Sequence, residues 1–128
     1  MSFADQLSKF KVISETECSR FVHAVVRETG RRLIERSPID TGKFVSNWRY
    51  GLESPDTTVT EETSIRTLNN LSEMPARAIG FIHYITNSVH YGPYLEAGSS
   101  KQAPRGMVEL TAMEADTIFA VAARKVGL

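Results

Sequence analysis

The chain has 128 residues, with 15 basic and 15 acidic side chains, three His, one Cys and one Trp, and 41% of it is apolar. That length and composition fit one globular domain with a single core and exclude a chain too polar to fold. A formal net charge of zero excludes a global pull toward nucleic acid or anionic membrane, so any such binding must come from a local patch.

The N-terminal third has a helical period. Residues 1–13 contain a short pattern, Phe3, Leu7 and Phe10, that suits a separate arm. Ser14-Glu15-Thr16-Glu17 is a capping box and opens the main helix. Cys18, Phe21, Val22, Val25, Val26, Thr29 and Leu33 then recur at three- and four-residue steps as one apolar stripe. Arg20, Arg27 and Arg31 fall on the opposite side with Glu28 and Glu35 beside them. Pro38 stops the helix, because it disfavours helical geometry at Ser37 and has no amide to donate.

Asp40-Thr41-Gly42 is a turn signature, and Phe44 to Leu52 reads as a strand with Phe44, Ser46, Trp48 and Tyr50 on one face. Residues 53–75 read as an acidic loop followed by a short helix carried by Ile65, Leu68 and Leu71 and stopped by Pro75. A second strand is expected within residues 78–87, around Phe81-Ile82-His83-Tyr84-Ile85-Thr86. Tyr91 to Glu96 suits one helical turn closed by Gly98, and Pro104 is placed to start a last helix over residues 104–126. That helix is apolar around most of its girth, which predicts a second buried face supplied by another subunit. Glu114 falls within its apolar stripe and should meet an Arg or Lys, or else the helix is rotated from this reading. The expected fold class is α+β: long N-terminal and C-terminal helices packed on a small antiparallel β-sheet, in a single domain over residues 1–128.

Neutrality hides an uneven distribution. Residues 1–36 carry seven basic and five acidic groups, whereas residues 53–73 carry one basic and five acidic groups. Opposed faces of unlike charge suit subunits that meet edge to edge. No apolar run approaches the ~20 residues that span a bilayer, so no membrane partner is expected. No signal segment is read at the start, and the lone Cys18 can form no internal disulfide, which suits a reducing compartment.

Catalytic motifs are sparse. Asp40-Thr41-Gly42 is the triplet of aspartic proteases, in which two Asp share a proton across a dimer axis. Here Lys43 stands where those enzymes have a small residue, and a helical N-terminal third does not suit their nearly all-β fold. The triplet therefore reads first as a turn. His23, His83 and His90 lack metal-ligand spacing, no nucleophile elbow or phosphate loop occurs, and Cys18 lies on the apolar stripe. No enzyme activity, metal or cofactor is expected. Asn87, His90, Tyr91, Tyr94, Glu96, Gln102, Pro104 and Arg105 instead form a polar-aromatic group of the kind enriched at interfaces. Arg20, Arg27 and Arg31 could face DNA phosphates in a lumen, although Glu28 and Glu35 temper their charge.

Read as a string, Ser37-Pro38-Ile39-Asp40-Thr41-Gly42 followed by Ser46-Asn47-Trp48 resembles a signature of small neck and tail-completion proteins of tailed bacteriophages. The second half is similar too: Ile85-Thr86-Asn87, Tyr91, Leu95-Glu96-x-Gly98, and Ser100-Lys101-Gln102-Ala103-Pro104-x-Gly106-Met107-Val108. The likeness spans roughly residues 37–112 in order and spacing, with Gly92-Pro93 where the family commonly has Ala after its Tyr. It implies a structural virion protein at the head–tail junction, assembled in the bacterial host cytoplasm. The implied form is a homo-oligomeric ring, six copies being the expected number, that completes the tail and connects it to the head. Head-completion or connector proteins would lie on one side and the tail terminator or tail tube on the other, with DNA passing through the lumen without specific binding. A tail-tube terminator ring of the same junction is the alternative, and a dimeric protease through Asp40 a more distant one. Under this resemblance Asp40, Thr41, Gly42, Gly98 and Pro104 define turns. Asn87, Tyr91, Tyr94, Glu96, Gln102, Arg105 and Glu114 are candidate interface residues.

Overall fold

A computed structural model describes Ser2, Ala4 and residues 14–128. The expected N-terminal arm at Phe3, Leu7 and Phe10 lies outside the described residues. Helix α1, Glu15–Arg36, begins at Ser14, whose Oγ accepts from the Glu17 amide at 3.1 Å. It ends at Ser37, whose amide donates to the Ile34 carbonyl and whose hydroxyl donates to the Leu33 carbonyl at 2.7 Å. Pro38 follows, so the helix stops where its last carbonyls find other donors.

The buried face of α1 is Ser19, Ala24, Val26, Glu28, Gly30 and Leu33, with Val22 and Ile34 packed at its margin. Glu28 is thus a correction: expected on the wet side, its carboxylate is 1% exposed. It is held there by the Arg31 guanidinium, with Arg32 Nε at 3.6 Å and Lys125 Nζ at 4.0 Å. Burying a carboxylate costs several kcal/mol unless cations accompany it, and three do. The Arg31 hydrogen bond is the largest influence on Glu28 and holds its carboxyl below the ordinary range against the opposing effect of burial.

The sheet has two antiparallel strands, β1 (Arg49–Leu52) and β2 (His83–Thr86), with Arg49 opposite Thr86 and Leu52 opposite His83. Both are shorter than the sequence suggests. Val45–Asn47 is a 3-10 turn rather than strand, because buried Asn47 spends its side chain on other backbone: Nδ2 donates to the Lys43 and Thr60 carbonyls, and Oδ1 accepts from the Thr60 amide. Residues 78–82 form a turn ahead of β2. The expected helix over Ile65 to Leu71 is also absent. Asn69 instead bridges to Arg49 in parallel, its amide donating to Trp48 and its carbonyl accepting from Tyr50, and only Leu71–Glu73 coils, as a 3-10 turn. Leu68 reaches α1 here: a Cβ on Gly30 would lie 2.4 Å from Leu68 Cδ1, so the loop can approach only because that position lacks one.

Helix α2, Gly92–Glu96, follows β2 and ends before Gly98, as the pattern predicts. The expected single helix over residues 104–126 is two: α3, Val108–Met113, and α4, Ala115–Lys125. Pro104 does not start it, because Gly106 adopts φ 79°, a left-handed conformation no right-handed helix can contain. The break at Glu114 (φ −96°, ψ 15°) turns its carboxylate toward α1, where Arg32 Nη1 donates at 2.8 Å and Arg36 Nη2 at 2.5 Å. Helices α3 and α4 pack on α1, and α1 reaches β2. Trp48, Tyr50, Leu33, Val26, Met107 and Val89 centre the core between them. The architecture is α+β: four helices and a two-stranded antiparallel sheet among the described residues.

Candidate assembly surface

The segments that carry the sequence resemblance converge on one side of the molecule, and their polar residues hold one another's backbone. Trp48 Nε1 donates to Ser37 Oγ at 2.7 Å, which ties the end of α1 to the start of β1. Phe44 packs edge-on against Trp48, ring centres 5.6 Å apart, and tilted against Tyr91 at 6.3 Å. Asn87 Nδ2 donates to the Phe44 carbonyl at 2.8 Å and its Oδ1 accepts from the Val89 amide at 3.2 Å, which fixes the turn leaving β2.

Gln102 acts as a strand would. Its Oε1 accepts from the Ile39 amide at 2.8 Å and its Nε2 donates to the Ile39 carbonyl at 3.1 Å, so one side chain satisfies both backbone groups of a residue 63 positions away. Glu96 does the corresponding work for α3. Oε1 accepts from the Met107 and Val108 amides, both at 2.9 Å, and Oε2 from the Glu109 amide at 3.1 Å. These are the orphan donors of a helix start, and a carboxylate is the strongest acceptor for them. Burial alone would raise the Glu96 carboxyl, but the three amides outweigh it and hold it below its ordinary value.

Between these ties lies a cleft of about 500 Å³, lined by Pro38, Asp40, Thr41, Gly42, Tyr91, Leu95, Ser99 and Gln102 among others. Thr41 Oγ1 accepts from the Lys43 amide at 3.2 Å, and Gly42 and Gly98 take φ 95° and 92°, where a Cβ would strike the Thr63 and Pro104 carbonyls. Asp40 is exposed on this turn, and Pro104 is exposed against Gly98. The structure therefore gathers Asp40, Thr41, Gly42, Tyr91, Gln102, Gly98 and Pro104 into one neighbourhood, with Asn87 and Glu96 bracing it. Tyr94 is 70% exposed on α2, and Arg105 is exposed before α3.

Other expected residues lie elsewhere. Glu114 is bound to Arg32 and Arg36 of its own chain, and their hydrogen bonds lower its carboxyl to about 2. Arg31 is likewise claimed by Glu28 and Glu35, whereas Arg20 and Arg27 are exposed and line an open hollow with His23 and Arg77. His23 meets the Pro75 carbonyl at 2.8 Å, and His83 lies 2.7 Å from both Tyr50 Oη and the Ala78 carbonyl, so both rings are used structurally. Sequence reasoning missed Ser37, Asn47 and Glu28 as buried polar anchors, and Asn69 as a half-buried one. Only Glu28 left a signal, the Arg31 and Arg32 that follow it at helical spacing. No group of three or more His, Cys, Asp or Glu side chains able to hold a metal occurs among the described residues. No family model matches the sequence, and neither a curated protein nor a solved structure matches it.

Proposed function

We propose that the chain is a structural subunit of the head–tail junction of a tailed bacteriophage, one copy of a closed ring of six that completes the tail and joins it to the filled head. The observation that carries the reading is the use made of the resembling segments. Gln102 clamps Ile39, Glu96 caps α3, and Asp40 lies exposed on a turn, so these residues shape a surface rather than assemble a reactive group. A ring needs a heterologous contact between two different faces of the same subunit. Tyr94 and Arg105 are large and exposed, next in sequence to Leu95, which lines the cleft, and to Pro104, which packs on Gly98, and residues of these types anchor such contacts. Connector proteins on one side, the tail on the other, a place in the virion and passage of DNA through the lumen belong to this same proposal.

The test uses assembled particles. Negative-stain images of the purified protein should contain closed rings whose symmetry can be counted. Heads and tails should fail to join when the Tyr94→Ala, Arg105→Ala double variant replaces the natural chain. Normal joining by that folded variant would overturn the assignment of the contact, and an absence of rings both in solution and on particles would overturn the function.

A further inference from the structure

Strand β2 has an outer edge that the fold leaves open. The Trp48 carbonyl and Tyr50 amide bond to Asn69, so the backbone groups of Arg49 and Gly51 face β2. With Arg49 opposite Thr86 and Gly51 opposite Tyr84, those are the hydrogen-bonded pairs, and the Glu53 amide donating to the Ile82 carbonyl at 2.8 Å continues the same ladder. Ile82, Tyr84 and Thr86 therefore bond inward. The amides and carbonyls of His83 and Ile85 point away from β1, toward a side with no strand among the described residues. Two strands alone make a marginal sheet, held here by packing on α1, and further strands would extend it. Natural edges are usually guarded by Lys, Pro or a bulge, and residues 83–86 have none.

We propose that this edge pairs with the same edge of a second copy, giving a continuous four-stranded antiparallel sheet across a two-fold axis. The sequence around β2 argues for a copy as the occupant. From Ala78 to Leu95 there is no Asp, Glu, Lys or Arg, in a chain that is 23% charged. A subunit meeting its own edge meets its own charges, and an uncharged stretch pairs with itself without like-charge repulsion.

The register follows from which groups are free. Pairing His83 of one copy with Ile85 of the other, and the reverse, is the register that uses both free residues of each strand, and it brings the two Tyr84 residues face to face at the axis as a non-hydrogen-bonded pair. Ile82, 59% exposed, then lies opposite Thr86 of the second copy. Ile85, one of the two residues with free backbone groups, also lines an apolar hollow with Leu33, Val108, Ala112, Ile118 and Phe119. Such pairing is isologous and closes at two copies, so it is separate from the heterologous ring contact proposed above.

The register makes the test specific. In a Cys18→Ser background, Tyr84→Cys places two thiols across the axis at a Cα separation of about 4.5 Å, within disulfide reach. Ile82→Cys is nearer the surface but faces Thr86 of the second copy. Mild oxidation of the full chain should crosslink Tyr84→Cys quickly and Ile82→Cys slowly. Sedimentation should show a concentration-dependent doubling of the sedimenting unit, free subunit or closed ring, with a dissociation constant that rises about tenfold or more in Tyr84→Lys, where like charges meet. The crosslinking contrast decides the matter: equal rates in the two variants, or a dimer unaffected by Tyr84→Lys, would overturn the proposal. Circular dichroism of each variant separates lost pairing from lost folding.

Discussion

Trp48 and Ser37 meet through one hydroxyl: the indole Nε1 donates to Ser37 Oγ at 2.7 Å, and that oxygen passes its own hydrogen to the Leu33 carbonyl at 2.7 Å. Both residues are buried, Trp48 at 2% and Ser37 at 6% exposure. Water cannot replace either bond without opening the core. Ser37→Ala strands an indole N–H and weakens the end of α1, so it should cost about 1–3 kcal/mol in urea unfolding. Ser37→Thr, which keeps the hydroxyl, should recover part of that loss.

Acid should destabilise the fold through its carboxylates. Glu28, Asp56, Glu96 and Glu114 all ionise more readily in the folded chain than in the open one. A carboxyl with a lowered folded pKa contributes stability that is complete above its unfolded value and is lost as pH falls through the folded value. For Glu114 the window runs from the ordinary 4.5 down to about 2. Thermal midpoints measured across that range should fall with pH, and Glu114→Gln should flatten the fall while lowering stability at neutral pH, where Arg32 and Arg36 lose their partner. A midpoint that rises on acidification would contradict the pairing.

The contrast between Glu114 and Glu96 shows where sequence pattern stops being informative. Helical period exposed α1 and its stop at Pro38, since both are local properties of the chain. It could not show that the last helix breaks at Glu114, because the cause lies 82 and 78 residues away in Arg32 and Arg36. Nor could it show that α3 starts at Val108, because Glu96 supplies the cap from another helix. The strand expected from Phe44 failed for a similar reason: Asn47 prefers the Thr60 backbone to a ladder. The turns at Gly42 and Gly98 were legible because glycine carries its conformational licence with it. The partners of Gln102 and Asn87 were not, since an amide side chain can serve any backbone that comes near.

Glu96 supports α3 with charge as well as hydrogen bonds. Glu96→Gln keeps an acceptor but removes the anion from the helix start, and Glu96→Ala removes both. Stability should fall in that order, by about 0.5–1 kcal/mol for Gln and about 1–3 kcal/mol for Ala. Amide hydrogen exchange should locate the effect at Met107, Val108 and Glu109. Unchanged exchange at those three amides in Glu96→Ala would show that the cap carries little weight.

Gly30 gives a test of packing against propensity. In an exposed helix, Gly→Ala should stabilise by about 1 kcal/mol. At Gly30 the added methyl would fall 2.4 Å from Leu68 Cδ1 and 2.6 Å from Leu68 Cγ, so the loop that carries Asn69 to β1 must retreat. Overpacking of this kind costs about 1–3 kcal/mol, and the helical gain offsets only part of it. Gly30→Ala should therefore destabilise the protein. Leu68→Ala will itself cost stability, since Leu68 is 8% exposed and in the core. It also empties the space the new methyl needs, so in that background Gly30→Ala should become neutral or stabilising. Chemical unfolding of the four proteins closes the cycle, and a coupling near zero would mean that the contact between α1 and the Leu68 loop does not constrain position 30.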